Sequence, residues 1–377
     1  MFKTRRAIAV LSVATAAALV LSACGSGSGG SSSSSSSSVD AATATSAAAF
    51  GGMSGLVAAA KKEGTLNVIA LPDSWANYGK IIAAFKTKYG LTVNSANPNG
   101  SSADEIKAAD DNKGQDTAPD VFDLGAAVAL ASTAKFAPYK VANWSQIPAA
   151  NKEPTGLWVN DYTGSMSIGY NSNKYPKPKS LDDLLKPEFK GAVAINGDPT
   201  QAGAAFAAVG LATVQSGGTL DNFQPGIDFY NKVSKAGNFL TVDPTPATIA
   251  SGETGVVFDW SYNNLAAAAT VPGWKVTTLP GTAYISYYNQ AINKDAPHPA
   301  AARLWQEFVY SPTAQNLFLA AGAYPVTIDA MTSAGTIDKT ALASVGALPK
   351  TRVSPTTAQT NAAGALLSKN WAAAIGQ

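Results

Sequence analysis

Helical and strand-like spacings of apolar residues alternate along the chain from about residue 54. Residues 78–89 predict an amphipathic helix. Its apolar stripe comprises Ile81, Ile82, Phe85 and Tyr89. Short apolar runs predict buried strands between helices, at 66–71, 91–93 and 120–124. Because strands alternate with helices, the pattern favours an α/β fold with a largely parallel sheet.

The ends of these strands provide the first candidate binding residues. In α/β proteins, ligands bind beyond the carboxyl ends of the strands. Ser74 and Trp75 follow the first predicted strand, and Asp123 and Gly125 lie at the end of the third. These four residues are therefore site candidates by position.

A strand and helix in the middle of the chain add two polar candidates. The apolar run 192–195 predicts a strand, and a long Ala-rich helix begins near Gln201. The turn between them brings Asp198 and Gln201 to the start of that helix, where backbone N–H groups also point. We predict that both residues contact a ligand. The alternative is that Asp198 only caps the helix.

A third strand end combines groups that suit a small polar ligand. Residues 256–258 predict a buried strand that runs into an acid, an indole and a phenol, which are Asp259, Trp260 and Tyr262. Aromatic walls with a few directional polar groups are typical of small-molecule sites. We predict that at least one of the three contacts ligand. The alternative is that Trp260 belongs to the core and Asp259 caps a helix over 263–269.

The first residues have the pattern of an export signal. Lys3, Arg5 and Arg6 precede an apolar run over 7–21, which is too short to favour a membrane span. The tetrad Leu-Ser-Ala-Cys that ends at Cys24 resembles the bacterial lipobox, whose cysteine becomes the lipidated first residue of the mature protein. We predict a signal peptide over 1–23 and a lipid anchor on Cys24. The alternative is an ordinary secreted protein with a stray cysteine.

The segment after Cys24 consists of glycine and serine as far as residue 38. It contains a formal G-x-G-x-x-G, but no strand precedes it and no helix follows it, so we reject a dinucleotide site. Gly/Ser tracts behave as flexible coils. Residues 24–53 are therefore predicted to be the lipidated cysteine and a tether to the folded body.

The charge balance and the rare residues exclude several classes of function. With 27 basic and 25 acidic side chains the formal charge is +2, which gives no basic footprint for nucleic acid. One histidine and one cysteine exclude a multi-Cys/His zinc site and a disulfide framework. A Ser-His-Asp triad could use only His298, and no G-x-S-x-G motif occurs. We expect no enzymatic activity, no cofactor and no bound metal.

Two long runs resemble one known family. They are SIGYNSNKY…SLDDLLKPEFKGAVAINGDPTQAG, which begins at Ser167, and INKDAPHPAAARLWQEFVYSPTAQ, which begins at Ile292. They are similar to the extracellular solute-binding proteins of ABC importers, in the branch with spermidine/putrescine-, ferric-ion- and thiamine-binding members. The resemblance spans most of residues 64–325.

The resemblance implies a fold and a set of partners. The fold is a type II periplasmic-binding-protein-like fold with two α/β lobes, joined by crossover strands and closing on ligand by a hinge motion. Residues 54–165 and 283–377 are expected to form lobe 1, and residues 166–282 lobe 2. The implied partners are a small-molecule solute and the permease and ATPase subunits of the importer. A monomer on the extracytoplasmic face of the bacterial membrane, held by its lipid anchor, is expected.

The resemblance also nominates ligand residues. In spermidine/putrescine binders a W-x-x-Y pair flanks the polyamine, and Trp75 and Tyr78 fit that spacing. Asp198 matches the first member of their acidic pair, whereas Gln201 replaces the second. Tyr288 stands where those proteins have a further acid. One carboxylate with aromatic residues suits a monocation, or an amine with a polar tail, better than spermidine. We expect a small polar or cationic solute, with a polyamine-like amine favoured.

The ferric branch provides a second comparison. It uses two adjacent tyrosines after the G-E-x-x-V strand, but here Tyr262 matches only the first and Asn263 occupies the second position. Tyr287 and Tyr288 are adjacent, yet alternation along a strand would point them to opposite faces. Ferric-ion, phosphonate or thiamine binding stays an alternative, as does a secreted lipoprotein hydrolase that uses acids such as Asp123.

Overall fold

The computed structural model describes residues 39–377. The predicted signal peptide, Cys24 and most of the predicted tether lie outside the described residues. Within 39–377, no helix combines the length and the apolar character that crossing a membrane requires.

Eleven strands and thirteen α-helices are present in this range. The strands are β1 (Thr65–Ile69), β2 (Thr92–Ala96), β3 (Val121–Gly125), β4 (Phe136–Ala137), β5 (Val159–Asn171), β6 (Val193–Ile195), β7 (Val256–Trp260), β8 (Trp274–Thr277), β9 (Ala283–Asn293), β10 (Tyr324–Pro325) and β11 (Arg352–Val353). The helices are α1 (Met53–Glu63), α2 (Tyr78–Tyr89), α3 (Ser102–Asp111), α4 (Ala126–Ala131), α5 (Gly203–Gln215), α6 (Gln224–Lys235), α7 (Pro246–Ser251), α8 (Ser261–Thr270), α9 (Pro299–Val309), α10 (Pro312–Ala320), α11 (Ile328–Ala334), α12 (Lys339–Val345) and α13 (Thr357–Ile375).

Helix α2 shows how closely local pattern and structure agree. It spans the predicted residues 78–89, and it buries Ile81, Phe85 and Tyr89 from the predicted stripe, with Ile82 half-buried. The buried face packs on α9, where the Phe85 ring lies 5.2 Å from that of Trp305 in an edge-to-face arrangement. The apolar stripe therefore sets both the type and the orientation of this helix.

Strands β5 and β9 connect the two halves of the structure. Strand β5 pairs antiparallel with β9 from Val159 to Ser165 and antiparallel with β7 from Met166 to Tyr170. Strand β9 continues along β3, also antiparallel. One strand thus belongs to two sheets, as crossover strands in a two-lobe fold do. The fold is the predicted type II periplasmic-binding-protein-like α/β fold.

The expectation of a largely parallel sheet is wrong. In the described part of the chain three strand pairings are parallel, β1 with β2, β6 with β7 and β9 with β11, whereas six are antiparallel. The difference arises because β5 and β9 are return strands that run against their neighbours, β9 against β3, β4 and β5, and β5 also against β7, β8 and β10. Helix–strand alternation alone does not reveal such a return strand.

Arg303 fixes the first described residues to α9. Its guanidinium donates to the carbonyl oxygens of Ala42 and Ala44, each at 2.6 Å, and to that of Pro299 at 2.9 Å. The side chain also lies over the ring of Tyr139 at 5.8 Å. Burial lowers the pKa of Arg303 to about 10, so the group stays charged at neutral pH and its hydrogen bonds are charge-assisted.

The C-terminal helix α13 packs against α6, in the part of the chain predicted to form lobe 2. Asn231 and Ser234 of α6 donate to the carbonyl oxygens of Ala374 and Ile375 at 2.7 and 3.0 Å. Trp371 packs edge-on against Tyr230, with ring centroids 5.5 Å apart. These contacts bring the end of α13 beside the α/β layer that β6 and β7 form.

Candidate functional site

A cleft of about 810 Å³ lies beside the ends of β1, β3, β6 and β7. Its wall includes the residues that follow β1, the end of β3, and the turns after β6 and β7. Ser74, Trp75 and Asp123 are on the wall, as the strand-end rule predicts. The cleft therefore collects residues from widely separated parts of the sequence.

Carboxylates dominate the charge of this cleft. Of the described residues on its wall, six are acidic and one, Lys80, is basic. The acidic residues are Asp104, Glu105, Asp123, Asp198, Asp243 and Asp259. Charges of one sign on a concave wall focus the field and attract ions of opposite sign. The wall consequently favours a cation over an anion.

Asp259 is the most deeply held acid on the β7 side. It is 5% exposed and accepts hydrogen bonds from Asn196 Nδ2 at 2.9 Å and from its neighbour's backbone, Trp260 N, at 2.7 Å. Asn263 Nδ2 lies 3.2 Å from Oδ1. Burial raises the pKa of Asp259 to about 6, although these hydrogen bonds act in the opposite direction. Its contacts are thus neutral amides.

Asp123 and Glu105 form a second acidic group on the β3 side. Glu105 Oε2 accepts from the backbone N–H of Asp123 at 2.9 Å, and Asp123 Oδ2 accepts from Tyr162 OH at 3.0 Å. Asp123 Oδ1 has no hydrogen-bond partner within residues 39–377. Burial raises the pKa of both carboxyls, and their proximity raises that of Glu105 further.

A further buried acid lies behind this wall, and its pKa is also raised. Asp161 is fully buried and accepts from Tyr78 OH at 3.2 Å and Gln290 Nε2 at 3.1 Å. Burial, and next the charge of Asp123, raise the pKa of Asp161. The β3 side therefore concentrates acidic groups that are held by neutral donors.

Aromatic rings form the floor between the two acidic groups. Trp75 and Tyr288 line the cleft, and their rings meet edge-to-face at 5.6 Å. Trp75 Nε1 donates to Tyr162 OH at 2.7 Å, and Trp260 Nε1 donates to Tyr288 OH at 3.3 Å. These bonds fix the two cleft-lining rings in position, and π faces of this kind attract cations.

The structure brings five of the eight predicted ligand residues to the cleft wall. These five are Trp75, Asp198, Gln201, Asp259 and Tyr288. The other three, Tyr78, Trp260 and Tyr262, are almost fully buried and do not line it. Tyr78 is engaged with Asp161, and the rings of Trp260 and Tyr262 stack 6.4 Å apart behind the wall. Their placement agrees with a role in the core, where Trp260 and Tyr262 contact Tyr288 and Trp75, which do line the cleft.

Asp198 stabilises a turn in addition to lining the cleft. Its Oδ1 accepts from the backbone N–H of Thr200 at 2.7 Å and from that residue's hydroxyl at 2.5 Å. Helix α5 begins five residues later, at Gly203, so Asp198 caps the turn and not the helix itself. Asp243 lies near it: burial, followed by the charge of Asp198, raises the pKa of Asp243.

Sequence reasoning did not nominate Glu105, Asp243, Asn196 or Asn263. Glu105 resembles an ordinary acid in the first turn of a solvated helix, since Asp104 beside it is exposed. The capping box between Ser101 and Asp104 signals where α3 begins, but the contact of Glu105 with β3 depends on its tertiary hydrogen bond to Asp123 N.

The two walls of the cleft touch at a pair of glycines. A Cβ atom built on Gly203, at the start of α5, would lie 2.8 Å from the Cα of Gly125 at the end of β3. Ala103 N, in α3, donates to Gln201 O on the opposite wall at 3.2 Å. The β3 side and the β6 side are therefore in direct backbone contact.

The structure also shows where the residues of the metal and catalytic alternatives lie. Within residues 39–377, no group of three or more His, Cys, Asp or Glu side chains is arranged to hold a metal ion. His298 does not line the cleft; its Nδ1 lies 3.0 Å from Asp120 Oδ2. Tyr287 contacts the apolar core from the strand face opposite to that of Tyr288, as alternation predicts.

Comparison with known proteins agrees with this architecture. The model of the bacterial extracellular solute-binding protein family matches residues 118–343. No curated protein matches the chain in sequence. Three solved structures are similar to it, and the match covers 82–83% of this chain and 98–99% of theirs.

The first of these structures is the periplasmic binding protein AfuA from Actinobacillus pleuropneumoniae with bound fructose-6-phosphate (16% identity, TM-score 0.62). The second is a ferric binding protein from Campylobacter jejuni (15%, 0.59). The third is an ABC transporter substrate-binding protein from Bradyrhizobium japonicum USDA 110 (17%, 0.64). Likeness at this level of identity establishes the fold, whereas the ligand has to be argued from the site.

Proposed function

The chain belongs to the bacterial extracellular solute-binding protein family and is the solute receptor of an ABC importer; we propose that its solute is a small organic cation, with polyamine-like amines as the first candidates. Such receptors work outside the cytoplasm and deliver solute to permease and ATPase subunits. We further propose that the protein binds its solute without turnover.

The observation that carries this proposal is the set of buried acids without a cationic partner. Asp123 and Asp259 are at least nine-tenths buried on opposite walls, and their hydrogen-bond partners are hydroxyl and amide groups. A buried carboxylate is costly unless a cation compensates it. An ammonium group between the walls would supply that charge, and it would also give Asp123 Oδ1 a donor.

The aromatic floor supports the same chemistry. Trp75 and Tyr288 lie between the acidic walls, and an ammonium or alkylammonium group over their faces gains about 0.5–2 kcal/mol. A phosphate or carboxylate ligand would instead meet six acids and a single lysine. Anionic solutes are therefore disfavoured, even though a solved structure of the same fold holds a sugar phosphate.

The test is a panel of ligands of opposite charge, measured by calorimetry with the purified chain. Putrescine, spermidine and n-butylamine represent the cations, while fructose-6-phosphate, butyrate and ferric citrate represent the alternatives. We expect saturable binding of at least one amine, and a rise in melting temperature of the kind that follows RT ln(1 + [L]/Kd). Binding of the anions or of ferric citrate, with no response to any amine, would overturn the proposal.

Binding of an amine is expected to weaken as the pH falls through about 6. The cation requires ionised acids, and a group with a pKa of about 6, as at Asp259, is largely protonated at pH 5. Aliphatic amines stay charged throughout this range, because their pKa is near that of lysine, about 10.4. Titration of Asp259 alone predicts a loss of about tenfold in affinity from pH 7 to pH 5.

The measurement is the Kd of n-butylamine at half-unit steps between pH 5 and 8. Each bound amine should also release protons at pH 6, because the ligand lowers the pKa of the acid that it contacts. An affinity that stays constant over this range, or rises toward pH 5, would contradict pairing with Asp259.

We also propose the lobe division and the anchor. The change of β5 from β9 to β7 after Ser165 supports a first lobe that includes residues 54–165 and a second that includes 166–282. The contacts of α13 with α6 support moving α13 to the second lobe, whereas the sequence prediction gave all of 283–377 to the first. Lipidation of Cys24 and a monomeric state stay predictions from the sequence.

A further inference from the structure

The cleft continues beyond the acids into a region with an apolar wall, here called the apolar arm. Its lining on one side is Ile249 of α7 with Ala267 and Val271 of the α8 segment. On the other side are Phe239 and, from the end of α13, Trp371 and Ile375. None of these side chains can hydrogen-bond a ligand except through the Trp371 indole.

Both sides of the apolar arm are supported from behind. Ile249 packs with Val257 and Trp274, and Ala267 and Val271 contact the same cluster. The Trp371 ring lies edge-on to that of Phe239 with centroids 6.1 Å apart. Polar residues flank the arm: Asp243 and Thr245 precede α7, and Gln377 follows Ile375; the Thr245 hydroxyl caps α7 by accepting from Thr248 N. The arm is therefore a formed surface with side chains held in place.

Helix α8 links the apolar arm to the acidic end of the cleft. Asn263, whose amide contacts Asp259, lies on the same helix face as Ala266, Ala267 and Thr270, and all four line the cleft. At 1.5 Å per residue, the path from Asn263 to Val271 is roughly 12 Å. The cleft thus presents a carboxylate and, a fixed distance along one helix, an apolar surface.

The size of the cleft fits a ligand larger than a simple diamine. A volume of about 810 Å³ lies in the upper part of the range typical for drug-sized ligands, about 300–1,000 Å³. This volume remains although the walls already touch at Gly125 and Gly203. A four-carbon diamine at the acids would leave the apolar arm without a partner.

We infer that the solute is an amphiphilic amine, with its ammonium group between Asp259 and Asp123 and an alkyl or aryl substituent in the apolar arm. This inference rests on the proposed capture of a cation, and it specifies the class of cation. It narrows the candidates named above: amines with one charged end are favoured over polyamines, whose second ammonium group would lie against the side chains of the apolar arm.

The test compares primary amines of increasing chain length, using n-butylamine, n-hexylamine and n-octylamine with the purified chain. A methylene group that leaves water on binding improves affinity by up to about fourfold. We expect n-octylamine to bind about tenfold or more tightly than n-butylamine, and more tightly than 1,8-diaminooctane. Octanoate, with the same apolar chain and the opposite charge, is expected not to bind.

A substitution in the apolar arm identifies where the chain is bound. Ala267→Phe fills the arm and should reduce the n-octylamine affinity about tenfold or more, with little change for n-butylamine. Leu265→Phe is the matched control, because Leu265 lies on the same helix but is 48% exposed and does not line the cleft. Should Ala267→Phe fail to fold, Val271→Asn makes the same wall polar with a smaller change in volume.

The outcomes separate this inference from the proposed function. If n-butylamine and n-octylamine bind equally well, or if Ala267→Phe weakens both to the same extent, the amphiphilic assignment is wrong while cation capture stands. If no amine binds at all, the proposed function itself fails.

Discussion

Replacing Asp259 by asparagine is expected to weaken binding of an amine strongly and, in the absence of ligand, to stabilise the fold. Removing one partner of a buried charge pair costs about 2–5 kcal/mol of binding free energy, so the Kd of n-butylamine should rise about 30-fold or more. The carboxyl group is 5% exposed and its contacts are neutral, so its charge opposes folding until a cation arrives.

The sign of the stability effect follows from the pKa. The pKa of Asp259 rises from 3.8 to about 6 on folding, so the folded chain binds the proton more tightly than the unfolded chain does. This group therefore makes the free energy of unfolding fall as the pH rises from about 4 to above 6. At about 1.4 kcal/mol per pKa unit, the full loss is roughly 3 kcal/mol, and Asp259→Asn removes it.

The measurement is urea unfolding at pH 5 and pH 8 for the unliganded chain. We expect the variant to be about 1–3 kcal/mol more stable than the wild type at pH 8 and about half as much more stable at pH 5, where about half of the loss has occurred. Glu188→Gln, which removes an exposed carboxylate away from the cleft, is the control and should change neither stability nor affinity. A variant that is less stable at pH 8 would show that Asp259 organises Asn196 and Asn263 structurally.

Replacing Gly203 by alanine is expected to weaken solute binding without removing any contact to the solute. A Cβ atom there would lie 2.8 Å from Gly125 Cα and 3.2 Å from Tyr288 OH, so the two walls could not meet as they do now. Because the backbone at Gly203 is helical and alanine favours helices, the substitution does not destabilise the conformation in which the two walls are apart. The affinity should fall about tenfold or more, as the closed state becomes less populated.

This result is read from two measurements on the same variant. Calorimetry gives the loss of affinity for n-butylamine, and thermal unfolding without ligand should give an unchanged or higher melting temperature. Gly364→Ala in α13 is the matched control, because a Cβ atom there meets nothing within 4 Å. A lower melting temperature with unchanged affinity would identify the glycine pair as permanent core packing.

The elements that sequence predicts best are those determined by their own residues. Helix α2 has the predicted bounds because the apolar residues that define it lie within the helix and form a single buried face. Strand β5 begins at Val159, and only its second half has the apolar alternation typical of a strand. Its first half carries Asn160 and Asp161, which look like surface residues in a pattern, but are buried and paired with Asn289 and Gln290 across the sheet.

In the site, too, residues placed by their local sequence could be predicted, whereas residues placed by distant contacts could not. Asp123, Asp198 and Asp259 could be predicted because each comes after an apolar run, in the last residues of a strand or in the turn beyond it, and strand ends meet at one edge of a sheet. Trp260 and Tyr262 have the right chemistry, yet alternation and stacking turn them into the support behind the wall. The end of α13 could not be predicted at the cleft, since its position depends on hydrogen bonds to residues more than 140 positions away.

The Arg303 contacts have a mechanical consequence. A pull along the chain from the N-terminal side first meets the two hydrogen bonds from this guanidinium to the carbonyl oxygens of Ala42 and Ala44 and passes into α9. No residue of α9 lies on the wall of the cleft. The hydrogen bonds of Arg303 therefore transmit a load from residues 42–44 to a helix that is not part of the binding surface.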